Sequence, residues 1–107
     1  MKLLKNYTVI VLATFLLIST AAHAKPRIKS VFGHNLEGFA RIKVINETTA
    51  DLACYVAING FKKKFRLPPL KESKWYAATD KRFNYKHFST WCDYIDLHPE
   101  YQNFKVI

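Results

Sequence analysis

The sequence predicts an all-β protein: a small antiparallel β-sandwich or partly open barrel of about six or seven short strands, held by one disulfide. Three observations carry that expectation. Short segments alternate apolar and polar residues with period two, and clusters of Gly, Pro, Asn or Asp separate them. Beyond the N-terminal segment, no stretch shows the spacing of an amphipathic helix. Two cysteines, Cys54 and Cys92, are available to staple a chain that is small for its core.

The N-terminal segment is set apart from the fold. Lys2 and Lys5 give a positive start, Thr8 to Ile18 is an uncharged apolar run, and Ala22-His23-Ala24 is a small-residue cleavage pattern. A spanning helix needs about 20 apolar residues, and this run is about half that. Residues 1–24 are therefore expected to be a cleaved secretory signal peptide of bacterial type. Residues 25–107 are expected to form a single small β domain, exported to the periplasm or the cell exterior. Of the 107 residues, 83 then remain. A domain of that size buries only about 60–65% of its unfolded surface, so a covalent staple is expected. In an oxidising compartment a Cys54–Cys92 disulfide is the default pairing. It closes 38 residues of chain, worth about 3–4 kcal/mol in the chain-entropy model.

Arg27 to Phe32 alternates, with Ile28, Ser30 and Phe32 on one side, and Gly33 to Gly38 reads as a turn. Phe39 to Asn46 places Ala40, Ile42 and Val44 on one face, with Arg41 and Lys43 on the other. The loop that follows completes Asn46-Glu47-Thr48, which has the form of an N-glycosylation acceptor but is discounted behind a bacterial-type leader.

Leu52 to Ile58 and Phe61 to Leu67 are separated only by Asn59-Gly60. Both central residues of a two-residue type I′ turn need positive φ, which Asn-Gly supplies. That turn sets 58 opposite 61 and 52 opposite 67. Leu52, Cys54, Val56, Ile58, Phe61, Phe65 and Leu67 then share one face; Tyr55, Lys62, Lys64 and Arg66 share the other, with Ala53 and Ala57. Lys63 falls on the apolar face opposite Val56. A charge there is a guard against edge-to-edge pairing, so 61–67 is expected to be an edge strand or to carry a bulge near Lys63.

Pro68-Pro69 ends that strand. Trp75 to Thr79 reads as a short strand, with Trp75 and Tyr76 pointing to opposite faces, and Asp80 to Phe88 as a polar loop with embedded aromatics. Ser89 to Leu97 alternates as a strand that His98-Pro99 breaks, and Tyr101 to Ile107 is expected to add a terminal strand. The order Cys54, Trp75, Cys92 resembles the signature of immunoglobulin domains. The gap between the cysteines is too short, however, and Thr90 stands where the tyrosine corner would be, so the likeness is one of architecture only. Small periplasmic lysozyme inhibitors are similar in size and also carry disulfides, but their strongly basic target would be repelled by this chain.

Charge gives the functional expectation. After loss of Lys2 and Lys5, 15 basic residues face 8 acidic ones, about +7 in balance. Fourteen of the 83 residues are Phe, Tyr or Trp. Such a field attracts anionic partners: lipopolysaccharide, anionic lipid, an acidic polymer or an acidic protein. The expected contact surface is Tyr55, Lys62, Lys64 and Arg66, extended to Lys43 or Arg41 on the preceding strand. Basic residues with interleaved aromatics also suit nucleic acid, which export disfavours. Alternative readings are a secreted antagonist or effector acting on another cell, or a small hydrolase using His87 with Asp93 or Asp80. No nucleophile elbow or phosphate-cradling glycine loop occurs, and His87, His98 and Asp96 lack a recurring ligand spacing. Neither a catalytic residue, a metal site nor a cofactor is expected.

Overall fold

The computed structural model describes residues 24–104 and 106; the expected signal peptide lies, but for Ala24, outside the described residues. Six strands form: β1 (Ile28–His34), β2 (Ala40–Asn46), β3 (Leu52–Ile58), β4 (Phe61–Leu67), β5 (Tyr76–Ala77) and β6 (Phe88–Tyr94). They make two three-stranded antiparallel sheets, ordered β1-β2-β5 and β4-β3-β6. The fold is all-β, as the sequence implies. Among the described residues no helix is long and apolar enough to cross a membrane.

Period-two alternation is what allows two sheets to share one core. In β2, Ala40, Ile42 and Val44 are buried while Arg41, Lys43 and Ile45 between them are half-buried on the outer side. In β3 and β4, Leu52, Cys54, Val56, Phe65 and Leu67 face inward and are fully buried. β1 packs over β6, where Phe32 stacks on Phe88 with ring centroids 6.3 Å apart and the Ser30 and Thr90 hydroxyls hydrogen-bond at 2.9 Å. At the opposite side Tyr76 of β5 stacks on Phe65 of β4 at 5.2 Å. Tyr76 is buried and Trp75 turns outward, as expected for neighbours in extended chain.

The turns follow from side chains that supply what the backbone lacks. Asn35 Oδ1 accepts hydrogen bonds from the Glu37 and Phe39 amides at 3.1 and 2.9 Å, and Gly38 takes φ 89°. Between β3 and β4, Asn59 and Gly60 sit at φ 50° and 89°, the positive values a type I′ turn requires. At the other end of the sandwich Asn46 is a buried hub. Its amide nitrogen donates to the carbonyls of Ala50, Leu67 and Pro68, and its oxygen accepts from the Thr48 amide and hydroxyl. An asparagine spent in this way is not a free glycosylation acceptor.

The disulfide joins Cys54 and Cys92, which are directly opposite on neighbouring strands β3 and β6. It therefore staples one sheet to itself, unlike the inter-sheet bridge of immunoglobulin domains.

Four boundaries depart from expectation. β1 runs on through Gly33 and His34, which pair with Arg41 and Ala40, so the turn expected over 33–38 begins only at Asn35. The strand expected over 75–79 is only Tyr76–Ala77; ahead of it the ladder alongside β2 is interrupted at Ser73, whose hydroxyl, not a backbone carbonyl, accepts from the Val44 amide at 2.9 Å. The segment still follows β2, through Ser73 N to Val44 O at 2.7 Å and Ala78 N to Ala40 O at 2.8 Å. β6 stops at Tyr94 because its partner β3 begins at Leu52, opposite it. Ile95–Leu97 then turns as 3₁₀ helix, as does Tyr85–His87 in the aromatic loop. The terminal strand is replaced by a 3₁₀ segment, Pro99–Asn103, followed by a single parallel bridge between Arg66 and Val106. Ile95 and Tyr101 fold back over the outer face of the second sheet and bury Ala53 completely. An alanine flanked by large residues leaves a hollow that this fold-back fills.

Candidate functional site

The register of sheet β4-β3-β6 builds its outer face in three rows. Nearest the Asn59-Gly60 turn run Lys62, Ala57 and Ser89; next come Lys64, Tyr55 and Trp91; then Arg66, Ala53 and Asp93. Residues directly opposite on one face are the pairs that interact across strands. In the middle row the Tyr55 and Trp91 rings stack with centroids 5.3 Å apart and planes 20° from parallel. Lys62 reaches diagonally so that its Nζ lies 4.7 Å from the Tyr55 ring centroid. A cation over an aromatic face is drawn to the negative ring quadrupole, worth about 0.5–1 kcal/mol at an exposed site. Lys62 and Lys64 are exposed and Tyr55 and Trp91 half-exposed, so the two upper rows present ammonium groups beside a stacked, partly covered ring pair.

The third row is occupied by the protein's own C-terminal turn. Arg66 is half-buried and its Nη1 donates to the Gln102 carbonyl at 3.4 Å. Its Nε is buried without an acceptor among the described residues. His98 Nε2 lies 3.0 Å from Asp93 Oδ2, and the His98 ring meets Trp91 edge-on at 4.9 Å. Tyr101 packs against Trp91 and Phe104. Burial, with Glu100 and Tyr55 nearby, raises the Tyr101 phenol above its usual range. The acidic groups of this face, Asp93 and Glu100, therefore sit with His98 away from Lys62 and Lys64.

Tyr55, Lys62, Lys64 and Arg66 thus share one face, as the hairpin pattern implies. Lys43 and Arg41 do not join them. They lie on the outer face of the other sheet, where Trp75 holds both: the Arg41 guanidinium is 4.1 Å from its ring centroid and Lys43 Nζ 4.9 Å. Lys43 also donates to Glu72 at 2.9 Å. Sheet order separates the two sets by the thickness of the sandwich.

Trp91 and His98 belong to the face but are not evident from local pattern. One signal was available: a disulfide between directly opposed residues of adjacent antiparallel strands makes 55 face 91 and 53 face 93.

The groups considered for hydrolysis each contact other residues. His87 accepts from the Asn84 amide through Nδ1 at 3.0 Å and lies against Phe83. Asp80 is gripped by Arg82, whose hydrogen bonds hold its carboxyl down at about 2, while Asp93 faces His98. Among the described residues no three His, Cys, Asp or Glu side chains converge as a metal site would need.

Fold and face together define a class: a small β-sandwich stapled within one sheet and carrying a cationic-aromatic platform on that sheet. No family model matches the chain, and no curated protein or solved structure is significantly similar to it.

Proposed function

We propose that this chain is an exported binding module of the cell envelope, periplasmic or extracellular, which contacts an anionic partner through Tyr55, Trp91, Lys62 and Lys64. The observation that carries the reading is the stacked Tyr55–Trp91 pair with Lys62 above the phenol and Lys64 in the same row. The half-exposed ring pair gives the partner apolar contact, and two ammonium groups give it charge. The Cys54–Cys92 bond fixes the strands that bear the rings, so little order is lost on binding. Phosphate headgroups of lipopolysaccharide or anionic lipid, a sulfated or carboxylated polymer, and an acidic protein surface all share the chemistry that such a face recognises. A disulfide and the lack of a membrane-crossing helix among the described residues are compatible with export.

The test is binding of the purified protein to lipopolysaccharide, anionic lipid vesicles and heparin over a salt series. Affinity for at least one of the three should fall as ionic strength rises, since charges beyond about 10 Å are screened at 0.1 M salt. Lys62→Glu/Lys64→Glu should abolish it, and Lys43→Glu on the far sheet should leave it nearly unchanged. Binding to none of them at low salt, or binding indifferent to the double substitution, rules the proposal out.

A further inference from the structure

Lys63 stands apart from its neighbours in sequence. It pairs with Val56 and shares the inward side of β4 with Phe61, Phe65 and Leu67. Phe65 and Leu67 are fully buried, and Phe65 lies under Tyr76. Past Tyr76 the segment facing β4 carries only small side chains, Ala77, Ala78 and Thr79, before Phe83. Phe61, 80% exposed, and Lys63 are left at the rim of a cavity of about 380 Å³ between the β3–β4 hairpin and residues 77–83. That volume falls in the range of small-molecule sites. Ile58, Phe61, Ala77, Ala78 and Phe83 make its lining mainly apolar; Lys63 is its charged member, with Asn59 and Thr79 as neutral polar groups.

Guarding the edge explains Lys63 but not the cavity beside it. An inward lysine alone discourages strand addition. A phenylalanine ring left four-fifths bare next to it works against that end, since exposed apolar surface invites association. Alanines where the facing segment could have carried larger side chains keep the space open. Apolar walls around a single cation match one chemical class: an apolar chain ending in one negative charge.

We propose that this cavity binds a small amphipathic monoanion, a medium-length aliphatic carboxylate, with its chain between Phe61, Ile58 and Phe83 and its carboxylate paired with Lys63 Nζ. The site lies on the opposite side of β4 from Lys62 and Lys64 and does not depend on the proposed platform.

Decanoate titrated into the protein, followed by amide chemical shifts and calorimetry, tests the assignment. Saturable binding with shifts centred on Phe61, Lys63 and Phe83 is expected. Lys63→Gln should weaken decanoate at least about tenfold, because a charge-assisted pair is lost, while changing affinity for the neutral decanol little. Phe83→Ala should weaken both ligands, and Lys62→Glu/Lys64→Glu should leave the decanoate site occupied. Absence of saturation at millimolar decanoate, equal affinity in wild type and Lys63→Gln, or shifts centred on Tyr55 and Trp91 would each overturn it.

Discussion

Tyr55 and Trp91, opposite one another on β3 and β6, stack at 5.3 Å and are one position removed in each strand from the disulfide pair Cys54 and Cys92. The covalent bond inside the sandwich thus sets the ring contact outside it. Offset aromatic pairs contribute about 0.5–1.5 kcal/mol beyond the area they bury. A double-mutant cycle with Tyr55→Ala and Trp91→Ala, read from urea denaturation, should return a coupling energy in that range. Strict additivity would show that the stack does not contribute to stability.

Loss of the disulfide should be the most damaging covalent change. The bond closes 38 residues, for which chain entropy gives about 4 kcal/mol. Cys54→Ser/Cys92→Ser should lower stability by roughly that amount, a large share of what a domain of this size possesses. Thermal melts of the variant and of reduced wild type should agree.

Asn46 is expected to be the most sensitive polar position. It is 1% exposed and satisfies three carbonyls, an amide and a hydroxyl that join β2, the loop after it and the end of β4. Asn46→Ala should cost about 1–3 kcal/mol of unfolding free energy by denaturant titration, because the buried Leu67 carbonyl and the Thr48 amide lose their partner while the Ala50 and Pro68 carbonyls keep one donor each. Asn46→Asp should also destabilise, since a carboxylate cannot donate to any of them.

Alkaline pH should weaken the fold through Tyr76. Burial pushes its phenol from 10.0 up to about 12. Below pH 10 the phenol is neutral in both folded and unfolded chains, and its contribution is fully present. Between pH 10 and about 12 the unfolded chain ionises while the folded one holds its proton, so stability falls. Tyr76→Phe should flatten that fall in a pH series of urea melts. Part of the slope should remain because Tyr101 is raised as well.

How far the sequence reveals this structure depends on the range of the interactions. The β3–β4 hairpin is legible to the residue, because Asn59-Gly60 fixes both its turn and its register. The edge position of β4 is legible in Lys63, and its ladder runs without a bulge. β5 is legible in place but not in extent, since the ladder before it is broken where the Ser73 hydroxyl replaces a backbone carbonyl. The 3₁₀ segments near the C-terminus carry Tyr101 in a pattern that also suits a strand; what decides against a strand is the hollow at Ala53. The cavity at Lys63 lies between the β3–β4 hairpin and residues 77–83, which are distant in sequence, so no local pattern in β4 could announce it. Of the contact surface, Tyr55, Lys62 and Lys64 follow from period two, whereas Trp91 needs the disulfide to be read as a register mark.

The arrangement of sheet β4-β3-β6 also imposes an order in time. β4 follows β3 after two residues, but β6 begins only at Phe88. As the chain emerges from its N-terminal end, one side of β3 is satisfied almost at once and the other waits. During that interval Cys54 is a lone thiol on a bare strand, with its hydrogen-bonding groups and its sulfur open to any neighbouring chain. Whatever makes this protein must keep that thiol from the wrong partner until residue 92 arrives.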